Sequence, residues 1–273
     1  MKIYIYAILL FTIIGSCNTS TEKAKTAETA PKEEPSLDMS AYPELFQKAL
    51  AAHGGLDTWK SFGGLKFDLE TTLGDKKKET HLVDLWTRKV RIEGKNYVLG
   101  MDGENVWVSP SKEVFGQMSA RFYHNLFFYF FAIPPVLADP GTNYEDLGER
   151  TIADKTYRAL KVSFNQGIGD ASDDLYVAHF NPETYEMELL LYTVTYFSGE
   201  KHENYNVLIY DWQTVNGLRV PASMKGYKFE DGEIKEQRYN TVFTDVAFTK
   251  AQPASTLFDK PENSEIDSLL VRQ

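Results

Sequence analysis

The chain has 273 residues, with 29 Lys and Arg against 39 Asp and Glu, for a formal net charge of −10 at pH 7. That balance disfavours nucleic acid and anionic lipid headgroups as partners, because both carry the same sign of charge. Cys17 is the only cysteine, so no internal disulfide can form and the folded part must be held by its core.

At the N-terminus, Lys2 precedes an apolar run from Ile3 to Ile14, and the small residues Gly15 and Ser16 stand before Cys17. This is the three-part layout of a secretory signal. The run is shorter than the ~20 residues that a spanning helix needs. Ile14-Gly15-Ser16-Cys17 resembles the lipobox of bacterial lipoproteins, which implies removal of residues 1–16 and lipid on Cys17. Two or more acyl chains there would make a stable membrane anchor. Residues 17–39 follow as a tether: between Asn18 and Ser40 the only large apolar side chains are Leu37 and Met39, too few to offset the entropy of ordering the chain. Such a segment reaches ~70 Å when fully extended and averages ~26 Å as a flexible coil. Asn18 is not the aspartate that resembles an inner-membrane retention signal, so the outer membrane is the expected destination, facing periplasm or exterior.

Residues 40–273 are then read as one domain of about 230 residues. A short helix opens it, with Tyr42, Leu45, Phe46, Ala49, Leu50 and His53 at helical spacing, Ser40 placed as its cap and Gly54-Gly55 as its end. After Gly64 the period changes to two. Candidate strands run over 65–73, 80–87, 89–93, 97–101, 105–108, 157–164, 175–180, 187–197, 205–213, 218–229 and 234–248, about eleven in all. Asp102-Gly103, Asn216-Gly217 and Asp231-Gly232 are dipeptides of type I′ turns, so the strands they join are antiparallel. In Tyr192-Thr193-Val194-Thr195-Tyr196 the large side chains alternate with threonines, which predicts a sheet with one buried or apolar-binding face. The strands are interrupted by an aromatic insert at about 117–138, dense in Phe and Tyr from Phe122 to Phe131, which Pro134-Pro135 prevents from forming one continuous helix. It packs against the sheet, either as a core helix or as a lid that lines an apolar concavity.

Further residues carry a family resemblance. They are Ala52-His53-Gly54-Gly55 with Trp59, then Asp102-Gly103 leading to Val106-Trp107, then Tyr210-Asp211-Trp212 with Val215-Asn216-Gly217-Leu218-Arg219-Val220-Pro221. Phe243-Thr244-Asp245-Val246, Leu257-Phe258 and Pro261 close the series. In order and spacing the chain resembles the LolA/LolB superfamily of envelope lipoprotein carriers, and more closely the uncharacterised Bacteroidota lipoproteins of a family of unknown function (DUF6503-like). The resemblance implies a mainly β fold: an incomplete barrel of about eleven antiparallel strands, curved around helices, with an apolar cavity for acyl chains. The carriers of that superfamily lack an anchor and the receptor form has one, so Cys17 moves the analogy towards an anchored acceptor.

No G-x-S-x-G, H-E-x-x-H, Walker-type loop or paired C-x-x-C occurs in the sequence. Gly167-Ile168-Gly169 reads as a turn. The histidines at 53, 81, 124, 179 and 202 are scattered without metal-site spacing, so neither metal nor cofactor is expected. Asp170, Asp173 and Asp174 form an acidic turn that lacks the full calcium-loop pattern. The leading expectation is therefore a non-enzymatic, membrane-anchored binder of a lipid or acyl chain, monomeric, with no nucleic-acid partner. Phe122, Phe127, Phe128, Phe130, Phe131 and Ile133 of the insert, with Trp86 and Trp107, are the expected lining. A tethered structural or protein-interaction module with a filled core stays open. So does an envelope hydrolase, which would need two carboxylates, or a histidine and a carboxylate, within reach of one reacting atom.

Overall fold

The computed structural model describes residues 37–268; the expected signal sequence, Cys17 and most of the expected tether lie outside the described residues. Leu37 and Met39 already pack against the core, so the folded part reaches back past Ser40. Asp38 accepts a hydrogen bond from Ser40 N at 2.9 Å, and a single 3-10 turn, Met39–Ala41, follows. Ser40 does not cap the opening helix α1 (Glu44–Ala52): Pro43, extended and without an N–H, holds the N-cap position and delays the start. Helix α1 buries Leu45, Phe46, Ala49 and Leu50 and ends at His53. Gly54 has φ +96°, and a Cβ there would stand 2.3 Å from Gly217 O, so the helix end can lie directly on a strand turn only because the residue is glycine. Helix α2 (Leu56–Lys60) buries Leu56 and Trp59.

The first half of the sheet comprises β1 (Gly64–Thr71), β2 (Lys77–Asp84), β3 (Val90–Glu93), β4 (Val98–Met101) and β5 (Val106–Ser109). The insert follows as α3 (Lys112–Phe115), α4 (Ala120–Tyr123), α5 (Leu126–Ala132) and a 3-10 turn, Pro135–Ala138. The second half comprises β6 (Thr142–Ile152), β7 (Lys155–Phe164), β8 (Tyr176–Phe180), β9 (Met187–Tyr192), β10 (Asn206–Val215), β11 (Leu218–Glu230), β12 (Glu233–Thr249) and β13 (Glu265–Asp267). They form one 13-stranded sheet in the order β13-β5-β4-β3-β2-β1-β12-β11-β10-β9-β8-β7-β6. Every pairing is antiparallel, and the pairing of β1 with β12 joins the two halves. The expected mainly β, open antiparallel sheet is thus what forms, unclosed because β13 and β6 do not pair.

The two strands beyond the expected eleven are the two edges. An edge strand keeps one side in water and carries charge to discourage pairing with other chains. β6 accordingly reads TNYEDLGERTI, mostly exposed, with a bulge between Asp146 and Gly148. β13 has only three residues. Neither has the apolar alternation that marks an inner strand.

Three local expectations change. Asn216-Gly217 and Asp231-Gly232 have positive φ at both residues, as type I′ turns require, but Asp102 does not. There the Asp102 carboxylate accepts from Glu104 N and Asn105 N, so a side chain closes a longer turn. Strand β9 stops at Tyr192, and Thr193 and Thr195 are buried, not solvent-facing. Thr193 Oγ1 accepts from Leu175 N at 2.8 Å, and Thr195 donates from both N and Oγ1 to Asp174 Oδ1. Finally, both faces of the sheet are covered in β8 and β9. Tyr176, Ala178, Leu190 and Tyr192 belong to the main core, while the alternate Val177, Leu189 and Leu191 form a second cluster against which Tyr227, Phe229 and Ile234 of the β11–β12 hairpin pack.

Candidate functional site

The insert is fixed to the sheet by aromatic packing and by one buried polar cluster. The Phe131 ring stacks on Phe67 at 4.9 Å and meets Phe243 edge-on at 5.1 Å. Tyr210 Oη donates to Phe130 O at 3.2 Å, and Tyr42 Oη donates to Ala138 O at 3.0 Å. On β2 the inward positions are Lys77, Glu79 and His81, a polar row on an otherwise apolar face. Glu79, 4 % exposed, accepts from Tyr123 Oη of α4 at 2.8 Å, from His81 Nε2 at 2.9 Å and from Tyr97 Oη. Burial pushes the Glu79 carboxyl up, but the hydrogen bond and charge of His81, with the two phenols, outweigh it and hold the group below its ordinary value. Lys77 Nζ lies over the Phe115 ring at 4.1 Å and the Tyr123 ring at 4.6 Å, and burial lowers its pKa.

Glu79 and His81 are the only histidine–carboxylate ion pair among the described residues, which is the arrangement a hydrolase would need. His81 Nδ1 is buried with no hydrogen-bond partner, Phe67 stacks on the ring at 4.8 Å, and Phe127 meets it edge-on. Among the described residues the hydroxyls that engage the pair are the phenols of Tyr97 and Tyr123, and the bond from Tyr123 clasps α4 to β2.

Beside this clasp, a cavity of about 310 Å³ opens between the insert and strands β7, β8 and β9. The insert contributes Phe122, Leu126, Tyr129 and Phe130; the strands contribute Phe164, Tyr176 and Tyr192. Its mouth carries the ion pair of Arg121 with Asp170, made by Nε at 2.7 Å and Nη2 at 3.0 Å. Ile168, 41 % exposed, is an apolar part of the lining there, and the exposed Phe197 packs on the lining residue Phe122 with ring centroids 4.9 Å apart. A larger opening of about 1030 Å³ lies over the clasp. It is ringed by charged side chains, among them Glu70, Lys76, Lys78, Glu93 and Lys95, and such a rim suits water better than an apolar ligand.

Of the residues expected to line a ligand site, Phe122 and Phe130 do line the smaller cavity. Phe127, Phe128, Phe131 and Ile133 are buried in the core behind it. Trp107 is fully buried under Gly100, its Nε1 donating to Phe258 O at 3.2 Å, and Trp86 stands 58 % exposed in the turn after β2; neither joins the lining. Tyr129, Tyr176 and Tyr192 were missed; the inward alternation of β8 and β9 was the available signal for the last two. The acidic turn is internally committed: Asp170 pairs with Arg121, Asp173 accepts from Gln166 and Asp174 from Thr195. Among the described residues no group of three His, Cys, Asp or Glu side chains is placed to hold a metal, and no helix is long and apolar enough to cross a membrane.

Residues 108–211 match a family described as a family of unknown function (DUF6503), the kind that the sequence resembles. No curated protein matches the chain. Among solved structures, the chain is similar to a LolA superfamily protein from Nitrosomonas europaea, at 13 % identity and TM-score 0.49, covering 79 % of this chain and 96 % of that one. It is also similar to a putative outer membrane lipoprotein-sorting protein domain from Vibrio parahaemolyticus, at 8 % identity and TM-score 0.49, covering 78 % and 94 %. A third is a DUF1329 family protein from Desulfovibrio piger, at 10 % identity and TM-score 0.45, covering 75 % and 91 %.

Proposed function

We propose that this chain is a non-enzymatic envelope lipoprotein that binds an apolar ligand, such as a lipid acyl chain, in the cavity beneath its aromatic insert. The observation that carries the reading is that cavity: about 310 Å³, walled by aromatic side chains from both insert and sheet, with the exposed Ile168 in its lining. Pockets of this kind, mostly apolar with a few placed polar groups, are where proteins hold small ligands. The sequence around Cys17 supports lipid attachment there, and with it anchoring at the outer membrane by a tether that lets the domain stand off the surface. Cys17→Ala should move the chain from the membrane fraction to the soluble periplasmic fraction.

The direct test is titration of the unanchored Cys17→Ala chain with N-phenyl-1-naphthylamine, a neutral apolar fluorophore. The same chain carrying Val194→Trp, which fills the cavity from its wall, is measured beside it. Saturable binding in the first and loss in a folded second variant supports the reading. Equal binding in both, or none in either, excludes this cavity. The second reading, a tethered protein-interaction module, is favoured by the dense packing of Phe127, Phe128 and Phe131 under the sheet, and it predicts no saturable probe binding.

A further inference from the structure

We propose that the cavity selects a single-chain amphiphile whose head is an uncharged hydroxyl or amide, and disfavours a carboxylate or phosphate head. This rests on the reading of the cavity as an apolar ligand site and adds which ligand class its walls recognise.

The case begins with polar atoms that have nothing to bond. Tyr176 is 7 % exposed and lines the cavity, yet its hydroxyl has no hydrogen-bond partner among the described residues. Tyr129 of the insert, whose ring packs 5.9 Å from that of Tyr176, has no hydroxyl partner among the described residues either. Burial raises both phenols above their ordinary pKa, so both stay protonated and available to donate. Neither hydroxyl has a protein partner to give up, so each is open to a ligand oxygen that reaches it in the cavity.

The same walls offer acceptors. His124 Nδ1 lies within hydrogen-bond distance of Arg121 O, which can only accept, so the ring proton sits on Nδ1. Burial lowers the pKa of His124 and keeps the ring neutral, which leaves Nε2 as a bare acceptor on the lining. Asp174 uses Oδ1 for both bonds from Thr195, and its Oδ2 has no partner among the described residues. The head that matches this wall must donate one hydrogen bond and accept others, which a hydroxyl or a primary or secondary amide does and a carboxylate does not.

Charge points the same way. Arg121 is the one cationic side chain of the lining among the described residues, and both its Nε and Nη2 are committed to Asp170. An anionic head would therefore meet the Asp174 carboxylate beside a cation whose charge Asp170 already offsets.

The test displaces N-phenyl-1-naphthylamine from the Cys17→Ala chain with 1-octanol, with its isomer 1-methoxyheptane, which accepts but cannot donate, and with octanoate. Any apolar cavity disfavours octanoate to some degree, so the decisive comparisons are between the isomers and between variants. The parent should bind 1-octanol about tenfold more tightly than 1-methoxyheptane, the size of one buried hydrogen bond. Asp174→Asn keeps an oxygen for Thr195 and removes the charge, and it should narrow the gap between octanol and octanoate. Tyr129→Phe with Tyr176→Phe should weaken 1-octanol, and circular dichroism reports that the double variant is folded. Equal affinity for the two isomers, or variants that move neither comparison, overturns this inference and leaves the apolar-site reading standing. Failure of the fluorophore to bind the parent overturns both.

Discussion

Replacing Glu79 tests the clasp between the insert and the sheet. Glu79→Ala removes the acceptor for Tyr123 Oη, His81 Nε2 and Tyr97 Oη at once. Tyr97 is half-buried and can turn to water, whereas Tyr123 and His81 are fully buried. Two buried donors left unpaired at about 1–3 kcal/mol each give a loss of about 2–6 kcal/mol, and partial relaxation places the expected value near 3–4 kcal/mol. Glu79→Gln keeps the volume and one acceptor oxygen, and the tyrosine hydroxyls can rotate, so about 1–2 kcal/mol is expected. Urea unfolding followed by tryptophan fluorescence and by circular dichroism gives both numbers. The pH dependence adds a sign. A carboxyl depressed in the fold contributes stability above its unfolded pKa and loses it as pH falls through the folded one. The parent's advantage over Glu79→Gln should therefore be full above pH 4.5, the ordinary value, and shrink below it. A Glu79→Ala variant within about 0.5 kcal/mol of the parent, the scatter of neutral surface changes, would refute the reasoning.

Other expectations follow from the same packing. His53 and His179 are each pushed by burial from 6.5 to about 4. As pH falls from 6.5 towards 4 the unfolded chain binds protons that the fold refuses, so each can cost up to ~1.4 kcal/mol per pH unit. His53→Gln should flatten that slope in a series of melting curves, and an unchanged slope would contradict the assignment. Phe131→Ala empties a stacked core position and should cost about 3–5 kcal/mol in urea unfolding. Trp86→Ala removes an exposed side chain and should stay within about 0.5 kcal/mol; similar costs for the two would contradict the placement of the core.

The sequence carried the architecture wherever a residue's environment repeats along the chain. Inner strands alternate, so β1 to β5 and β7 to β12 were legible from Leu65, Val83, Ile92 and their like, and the paired turns at Asn216-Gly217 and Asp231-Gly232 named their own geometry. The edges were not legible, because β6 and β13 spend their residues on solvent. The insert was legible as aromatic, but which ring faces a void and which fills the core depends on how short helices rotate against the sheet. Phe127 and Phe130 sit three apart on α5, yet only Phe130 reaches the cavity. The clasp escaped notice because Glu79 and Lys77 read as ordinary charges of a polar strand until alternation is applied to β2. Likewise Thr193 and Thr195 are capping groups for the segment before β8, a role set by a partner far along the chain.

The most direct measurement is mass spectrometry of lipids extracted from the Cys17→Ala chain after expression in a bacterial periplasm, beside the same chain carrying Val194→Trp. The account predicts about one lipid molecule per parent chain, and little or none on the folded variant with the filled cavity. Equal lipid on both would move binding away from this cavity. A parent free of lipid that also fails to bind the apolar fluorophore would contradict the account.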